Sequence, residues 1–304
     1  MREIRIPAFA KVNLRLDILG KRPDTYHELR TILQTISLHD ELLLRQSKAS
    51  GIRLHIQGND ALSLEPVRKN LVYKAVDLLR RELEVRSGVE IEIRKKIPAG
   101  RGLGGGSSDA AAALRGYLRL TGRTVPVPRL MALAASLGAD VPFFLFGGRA
   151  LGIGRGDEIY PLPDIPRLAM LVVAPEDIHV PTPDAYRWLK APALTKTRSA
   201  SKLWEFCSLC WSSPASAGTQ EIGLSNDFER PVFQRHPRLA QIKRELLQRG
   251  ATEASLAGSG SAVFGVFPSP ALARRAAVGF QNEQTFVCET ISRDRYLRKV
   301  QSAP

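Results

Sequence analysis

Between Lys96 and Leu114 the chain reads KIPAGRGLGGGSSDAAAAL, with Gly102, Gly104, Gly105 and Gly106 crowded ahead of Ser107, Ser108 and an alanine-rich run. Bare backbone at the mouth of a helix suits an anion. The first-turn N–H groups have no intrahelical partner, the dipole places positive charge there, and glycine lets a phosphate come close. Ser107, Ser108 and Asp109 are each competent to cap the helix AAAALRGYLRL, and the two hydroxyls can also donate to phosphate or help hold its metal. No G-K-[ST] follows to make a Walker loop, and a G-x-G-x-x-G reading lacks its βαβ setting. A second cluster, Gly258-Ser259-Gly260, precedes another strand. Alone it is a tight turn; beside the first loop it could hold one polyphosphate from two sides.

Such loops need a scaffold. In VNLRLDI the apolar Val12, Leu14, Leu16 and Ile18 alternate with polar residues, so Lys11 and Asn13 share the other face of one strand. Alternation at Ile52, Leu54 and Ile56 and at Val89, Ile91 and Ile93 predicts further strands of an antiparallel sheet with one wet face. Asn70 opens a helix running to Leu83, and a second runs from about Pro128 to Leu137 with Gly138 as its stop. Beyond residue 160 come a buried strand, LAMLVVAP, then PTPDAYRWL, a helix over Pro237 to Gly250, and a glycine turn feeding the strand AVFGVF. Residues 191–223, containing WEFCSLCW, read as an irregular insertion. The fold class is α+β, and the expected domains are 1–158 and 159–304.

Composition narrows the function. At 304 residues, 44% hydrophobic and 24% charged, the balance is that of a globular protein. No apolar run approaches the roughly 18 residues of a membrane span, and MREIRIPAFAKVNL lacks a signal-peptide core. The expected address is the cytoplasm. Cys207, Cys210 and Cys288 are too few for a disulfide framework, and no second pair completes a zinc site with CSLC. The net charge of +14 fits either polyanionic small ligands or nucleic acid. A nucleic-acid module stays open as an alternative, without a recognisable motif to support it.

Three stretches carry a resemblance: PAFAKVNL (Pro7 to Leu14), PAGRGLGGGSSDAAA (Pro98 to Ala112) and LAGSGSAVF (Leu256 to Phe264). In order and spacing they resemble the motifs of the superfamily of galactokinase, homoserine kinase, mevalonate kinase and phosphomevalonate kinase, across nearly the whole chain. DTYHEL (Asp24 to Leu29), LGADVPFF (Leu137 to Phe144), PTP (Pro181 to Pro183) and LSNDFE (Leu224 to Glu229) are similar to the 4-diphosphocytidyl-2-C-methyl-D-erythritol kinases within it. The segment around 201–220 matches nothing in that pattern.

The resemblance implies a two-domain small-molecule kinase with mixed or antiparallel sheets, helices, and its active site in the interdomain cleft. It implies that ATP with Mg2+ phosphorylates the 2-hydroxyl of a cytidine-diphosphate-linked sugar alcohol, in non-mevalonate isoprenoid precursor synthesis. By position, Asp140 is then the base that takes the hydroxyl proton, while Lys11 polarises the hydroxyl and holds Asp140 ionised. Pro98, Gly100, Gly102, Leu103, Gly104, Gly105, Gly106, Ser107 and Ser108 would hold the phosphates, and Asn70 and Lys96 the adenine side. Asn13, Thr182, Gly258, Ser259 and Gly260 would face the acceptor. Tyr26 and Tyr186 are candidate stacking rings for cytosine, with His27 hydrogen-bonding the base edge. No carboxylate cage for a metal is evident, no nucleic acid or membrane is expected as a partner, and the state is monomer or homodimer. Homoserine or mevalonate kinase remains the other reading within the superfamily, distinguished by Tyr26-His27.

Overall fold

The computed structural model describes residues 2–58, 66–194 and 222–301. The expected insertion at 191–223, with Cys207 and Cys210, lies mostly outside the described residues. The alternation near the N-terminus extends well beyond Val12 to Ile18. It gives β1 (Glu3–Lys21) and β2 (His27–Ser47), 19 and 21 residues long, against the usual five or six. They pair antiparallel with register shifts between Phe9 and Lys11, Asn13 and Arg15, and Ile18 and Gly20.

Strand β2 is long enough to serve two neighbours. Its first part pairs with β5 (Arg149–Gly154), which pairs with β6 (Glu158–Pro161). Its second part pairs with β4 (Gly88–Arg94). Outside β4 runs β3 (Ile52–Gln57), parallel to it rather than antiparallel as the alternation suggested. The reason is α1 (Leu71–Glu82), which carries the chain back over the sheet and makes β3, α1 and β4 a βαβ unit. Asn70 caps α1, its side chain accepting from the Val72 N–H at 2.8 Å.

Helix α2 (Gly105–Thr121) packs on this sheet, with α3 (Val127–Leu137) and the short α4 (Phe143–Phe146) beyond it. A second, four-stranded antiparallel sheet runs in the order β11 (Glu283–Glu289), β7 (Ala169–Pro175), β10 (Val263–Phe267), β9 (Glu253–Leu256). Among its helices are α5 (Thr182–Leu189), α6 (Glu229–Arg235), α7 (Pro237–Gln248) and α8 (Pro270–Ala277). Mixed sheets with segregated helices make the class α+β.

The halves are interleaved. β8 (Ser225–Asn226) pairs parallel with β1, and α9 (Arg293–Gln301) returns Tyr296 and Val300 to the core of the first sheet. Residue 158 is the first of β6, inside the β5–β6 hairpin. Val12 and Leu14 pack with Met170, Val172 and Phe264 of the second sheet. Their polar neighbours Lys11, Asn13, Arg15 and Asp17 are buried too, so from Ala8 to Gly20 β1 has no wet face.

Candidate active site

The glycine loop departs from the expected cap. Helix α2 begins at Gly105, and its N-cap is Gly104, in the left-handed region at φ 72° and without a side-chain cap bond. Glycine disfavours helix, which argues for a later start. Residue 104 has to be a glycine all the same, because a Cβ there would stand 2.8 Å from the Phe144 ring and 3.1 Å from Lys11 Cγ. Ser107 and Ser108 therefore lie inside the first turn, with Asp109 just beyond it, and no side chain among the described residues caps the helix N-terminus. The Ser108 hydroxyl is buried and has no hydrogen-bond partner among the described residues.

The second glycine loop meets the first. A Cβ at Gly258 would be 3.1 Å from the Gly102 carbonyl oxygen and 3.3 Å from Lys11 Nζ, so both loops close around the end of the Lys11 side chain. The Lys11 backbone N–H donates to the Leu103 carbonyl at 2.9 Å, tying β1 to the phosphate loop. Gly100 packs under the His179 ring. Arg101 donates to the carbonyls of Ile178 and Glu176 and to Ser261 Oγ, strapping the first loop to the second sheet's connections.

At this junction Lys11 Nζ donates to Asn13 Oδ1 at 2.8 Å and lies 3.6 Å from Asp140 Oδ2. The Lys11 side chain is 5% exposed and that of Asp140 39%, so a buried cation faces a carboxylate open to an incoming hydroxyl. Asp140 follows Gly138, which ends α3, and precedes Pro142, whose ring fixes the backbone leading into α4.

Near Asp140, α5 and the β1–β2 turn bring the remaining candidate residues together. The His27 and Tyr186 rings stack with centroids 4.5 Å apart, and Tyr186 meets Phe228 edge-on. Burial, then the Asp140 charge, pushes the Tyr186 hydroxyl up to about 12, whereas burial and Lys21 lower the His27 pKa. Thr182, at the start of α5, shares a hydrogen bond of 2.9 Å with Ser259. Tyr26 stands apart: it is 55% exposed, with the Arg155 guanidinium 4.9 Å above its ring. Lys96 points outward to Glu41 and lines a cavity of about 540 Å3 between the first loop and β7 and β11. Asn70 is occupied as a helix cap.

Sequence reasoning passed over Lys95, whose ammonium is buried between Asp40 and Asp109 at 2.5 and 2.7 Å. Asp40 also accepts the backbone N–H groups of Lys96 and Ile97, where the chain enters the glycine loop. Burial pushes the Asp109 carboxyl up to about 7 against the pull of Lys95. The Lys95 pKa rises because the two carboxylates outweigh its burial. The signal was present: with Ile91 and Ile93 inward, period two sends Lys95 inward and Lys96 outward. Asn226 was also missed as a part of the site. Its amide donates to the carbonyls of Leu256 and Gly258 at 2.8 and 2.7 Å and so holds the second loop.

Comparison with known proteins agrees with this geometry. A profile described as the GHMP kinases N terminal domain matches residues 70–148, and one described as GHMP kinases C terminal matches 216–284. The 4-diphosphocytidyl-2-C-methyl-D-erythritol kinase of Solibacter usitatus is 44% identical over 298 residues, 97% of this chain and 91% of that protein. That of Pelotomaculum thermopropionicum is 40% identical over 94% of this chain and 97% of its own length. The crystal structure of a 4-(cytidine 5'-diphospho)-2C-methyl-D-erythritol kinase superposes with a TM-score of 0.76 at 34% identity, covering 94% of this chain and 99% of that one. A homoserine kinase from Cytophaga hutchinsonii shares the fold, at a TM-score of 0.74 and 23% identity, over 96% and 95% of the two chains. With a buried lysine facing a carboxylate beside two touching glycine loops, and relatives this similar over nearly its full length, the chain belongs to the 4-diphosphocytidyl-2-C-methyl-D-erythritol kinase family of the GHMP kinases.

Proposed function

We propose that the chain transfers the terminal phosphoryl group of ATP to the 2-hydroxyl of 4-diphosphocytidyl-2-C-methyl-D-erythritol, giving the 2-phosphate and ADP. The observation that carries this is the meeting of Lys11 and Asp140 at 3.6 Å beneath two touching glycine loops. Asp140 accepts the proton of the acceptor hydroxyl as its oxygen bonds to phosphorus and the bridging bond to ADP breaks. Lys11 stabilises the charge on that oxygen, and the N–H groups of Gly105, Gly106 and Ser107 receive the phosphate oxygens. Magnesium, when bound with the nucleotide, neutralises phosphate charge, and the Ser108 hydroxyl, unpartnered among the described residues, fits it.

His27 and Tyr186 form the wall against which the cytosine packs, and Thr182 and Ser259 present hydroxyls to the sugar or diphosphate. Asn13 orients the acceptor hydroxyl. We assign nucleotide binding to the half built on the first sheet, which β6 and α9 complete, in a cytoplasmic enzyme acting as monomer or homodimer. No helix of the described residues is long and apolar enough to cross a membrane. The test is ADP release from Mg-ATP with the cytidyl acceptor, beside mevalonate, homoserine and no acceptor. Turnover with the cytidyl acceptor alone is expected; turnover with another alone would overturn the acceptor assignment.

A further inference from the structure

We infer that Thr31, on β2, is a positioning residue for phosphoryl transfer: it fixes the Asn13 amide, which in turn holds the Lys11 ammonium in the cleft beside Asp140. The inference rests on the kinase reading above. Lys11 Nζ donates to Asn13 Oδ1 at 2.8 Å, Asn13 Nδ2 donates to Thr31 Oγ1 at 2.7 Å, and the Thr31 hydroxyl donates to the Arg15 carbonyl at 2.8 Å. All of these side chains are buried, so water offers no easy substitute.

An asparagine amide can usually turn over, exchanging its oxygen and nitrogen. Here both ends of the chain forbid it. An ammonium can only donate and a carbonyl oxygen can only accept, so each bond between them has one permitted direction. Without the Thr31 hydroxyl, Asn13 Nδ2 loses its acceptor and only the ammonium still orients the amide. Held at one end, the Asn13 side chain is free to shift out of place. Lys11 shifts with it, tightening its ion pair with Asp140 from 3.6 Å and withdrawing both groups from the acceptor.

A second observation shows that the Thr31 hydroxyl is aimed. Thr31 lies opposite Gly152 of β5, and a Cβ at residue 152 would stand 3.0 Å from the Thr31 methyl carbon. A side chain at 152 would crowd this methyl where glycine does not, and a β-branched side chain has few other rotamers. With the methyl lodged against β5, the hydroxyl faces β1. The register shift between Asn13 and Arg15 falls where this chain of bonds crosses between the strands.

The experiment measures steady-state kinetics and urea unfolding for Thr31→Val, Thr31→Ser, Gly152→Ala and Gly152→Ala with Thr31→Ser. Thr31→Val should lower kcat about tenfold with both KM values within about twofold, and Thr31→Ser should stay within about twofold of wild type. Gly152→Ala should lower kcat by pressing on the methyl, and Thr31→Ser should restore it, since serine lacks that methyl. In an Asn13→Ala background Thr31→Val should cost nothing further, whereas a merely structural role would add its full effect. A folded Thr31→Val with wild-type kcat, a Thr31→Ser as slow as valine, or an additive loss would overturn the inference. If Thr31→Val does not fold, the Gly152 pair decides: an unchanged kcat in Gly152→Ala, or no relief by serine, overturns it. An inactive wild type would overturn the kinase reading along with it, while an active wild type beside unaffected variants overturns only the role of Thr31.

Discussion

Gly102 lies directly against Ala257: a Cβ on residue 102 would overlap the Ala257 carbonyl oxygen, and its φ of +77° is one that a side chain resists. The contact joins the two loops that flank Lys11, so changing it should disturb both. Gly102→Ala carries about 1–2 kcal/mol of backbone strain before any clash. It should lower the melting temperature and raise the KM for ATP about tenfold or more. Gly106→Ala is the control, since its Cβ would meet nothing nearer than Leu71 Cδ1 at 3.8 Å. It should fold as wild type; equal destabilisation of the two variants would show that the loops do not touch as described.

Asp140→Asn removes the base and keeps the shape. Its side chain is 39% exposed, so the fold should not notice. Turnover should fall by about 10²–10⁴, while calorimetry with the cytidyl acceptor shows binding retained. Near-normal turnover would remove Asp140 from the mechanism.

Asp109 predicts a pH dependence of stability. Its carboxyl titrates at about 7 in the folded chain, raised from 3.8 by burial. Between those values the native state holds a proton that the unfolded chain has released, so this group's contribution declines as pH rises through that window. Asp109→Asn cannot titrate, and its amide oxygen can still accept from Lys95. Urea unfolding at about pH 4.5 and about pH 7.5 should show the smaller loss in the variant. The same loss in both proteins would place the titration elsewhere.

His27 and Tyr186 form one wall, and the two should respond differently to trimming. Tyr186→Phe keeps the ring stacked on His27 and should leave both KM values near wild type. His27→Ala removes the partner of the stack and should raise the acceptor KM about tenfold with the ATP KM unchanged. A parallel rise in the ATP KM would mean that the ring supports the nucleotide instead.

Much of this site can be read from the sequence because it rests on local rules. Glycine density before a helix announced the loop that opens α2, and strand parity put Lys11 and Asn13 on one face, where a hydrogen bond of 2.8 Å now joins them. Asn70 caps its helix as its residue type suggested. What stayed hidden depends on distant partners. Nothing near Tyr186 in the sequence says that α5 will lay it on His27, or that Tyr26 will be left under Arg155. The burial of Lys95 needed a carboxylate 55 positions away. The start of α2 was misplaced because glycine's poor helix propensity argued for a later one, and the neighbours that require glycine at 104, Phe144 and Lys11, are distant in the chain.

The return of α9 to the first sheet bears on how the chain comes to fold. Tyr296 donates its hydroxyl proton to the Phe144 carbonyl, and Arg119 donates to the Val300 carbonyl at 2.9 Å. A ribosome delivers residues in order, so the core under β1 and β2 stays open until α9 has been made and has left the tunnel. Emergence of α9, rather than synthesis of the strands β1 to β6, is the moment at which that core can close.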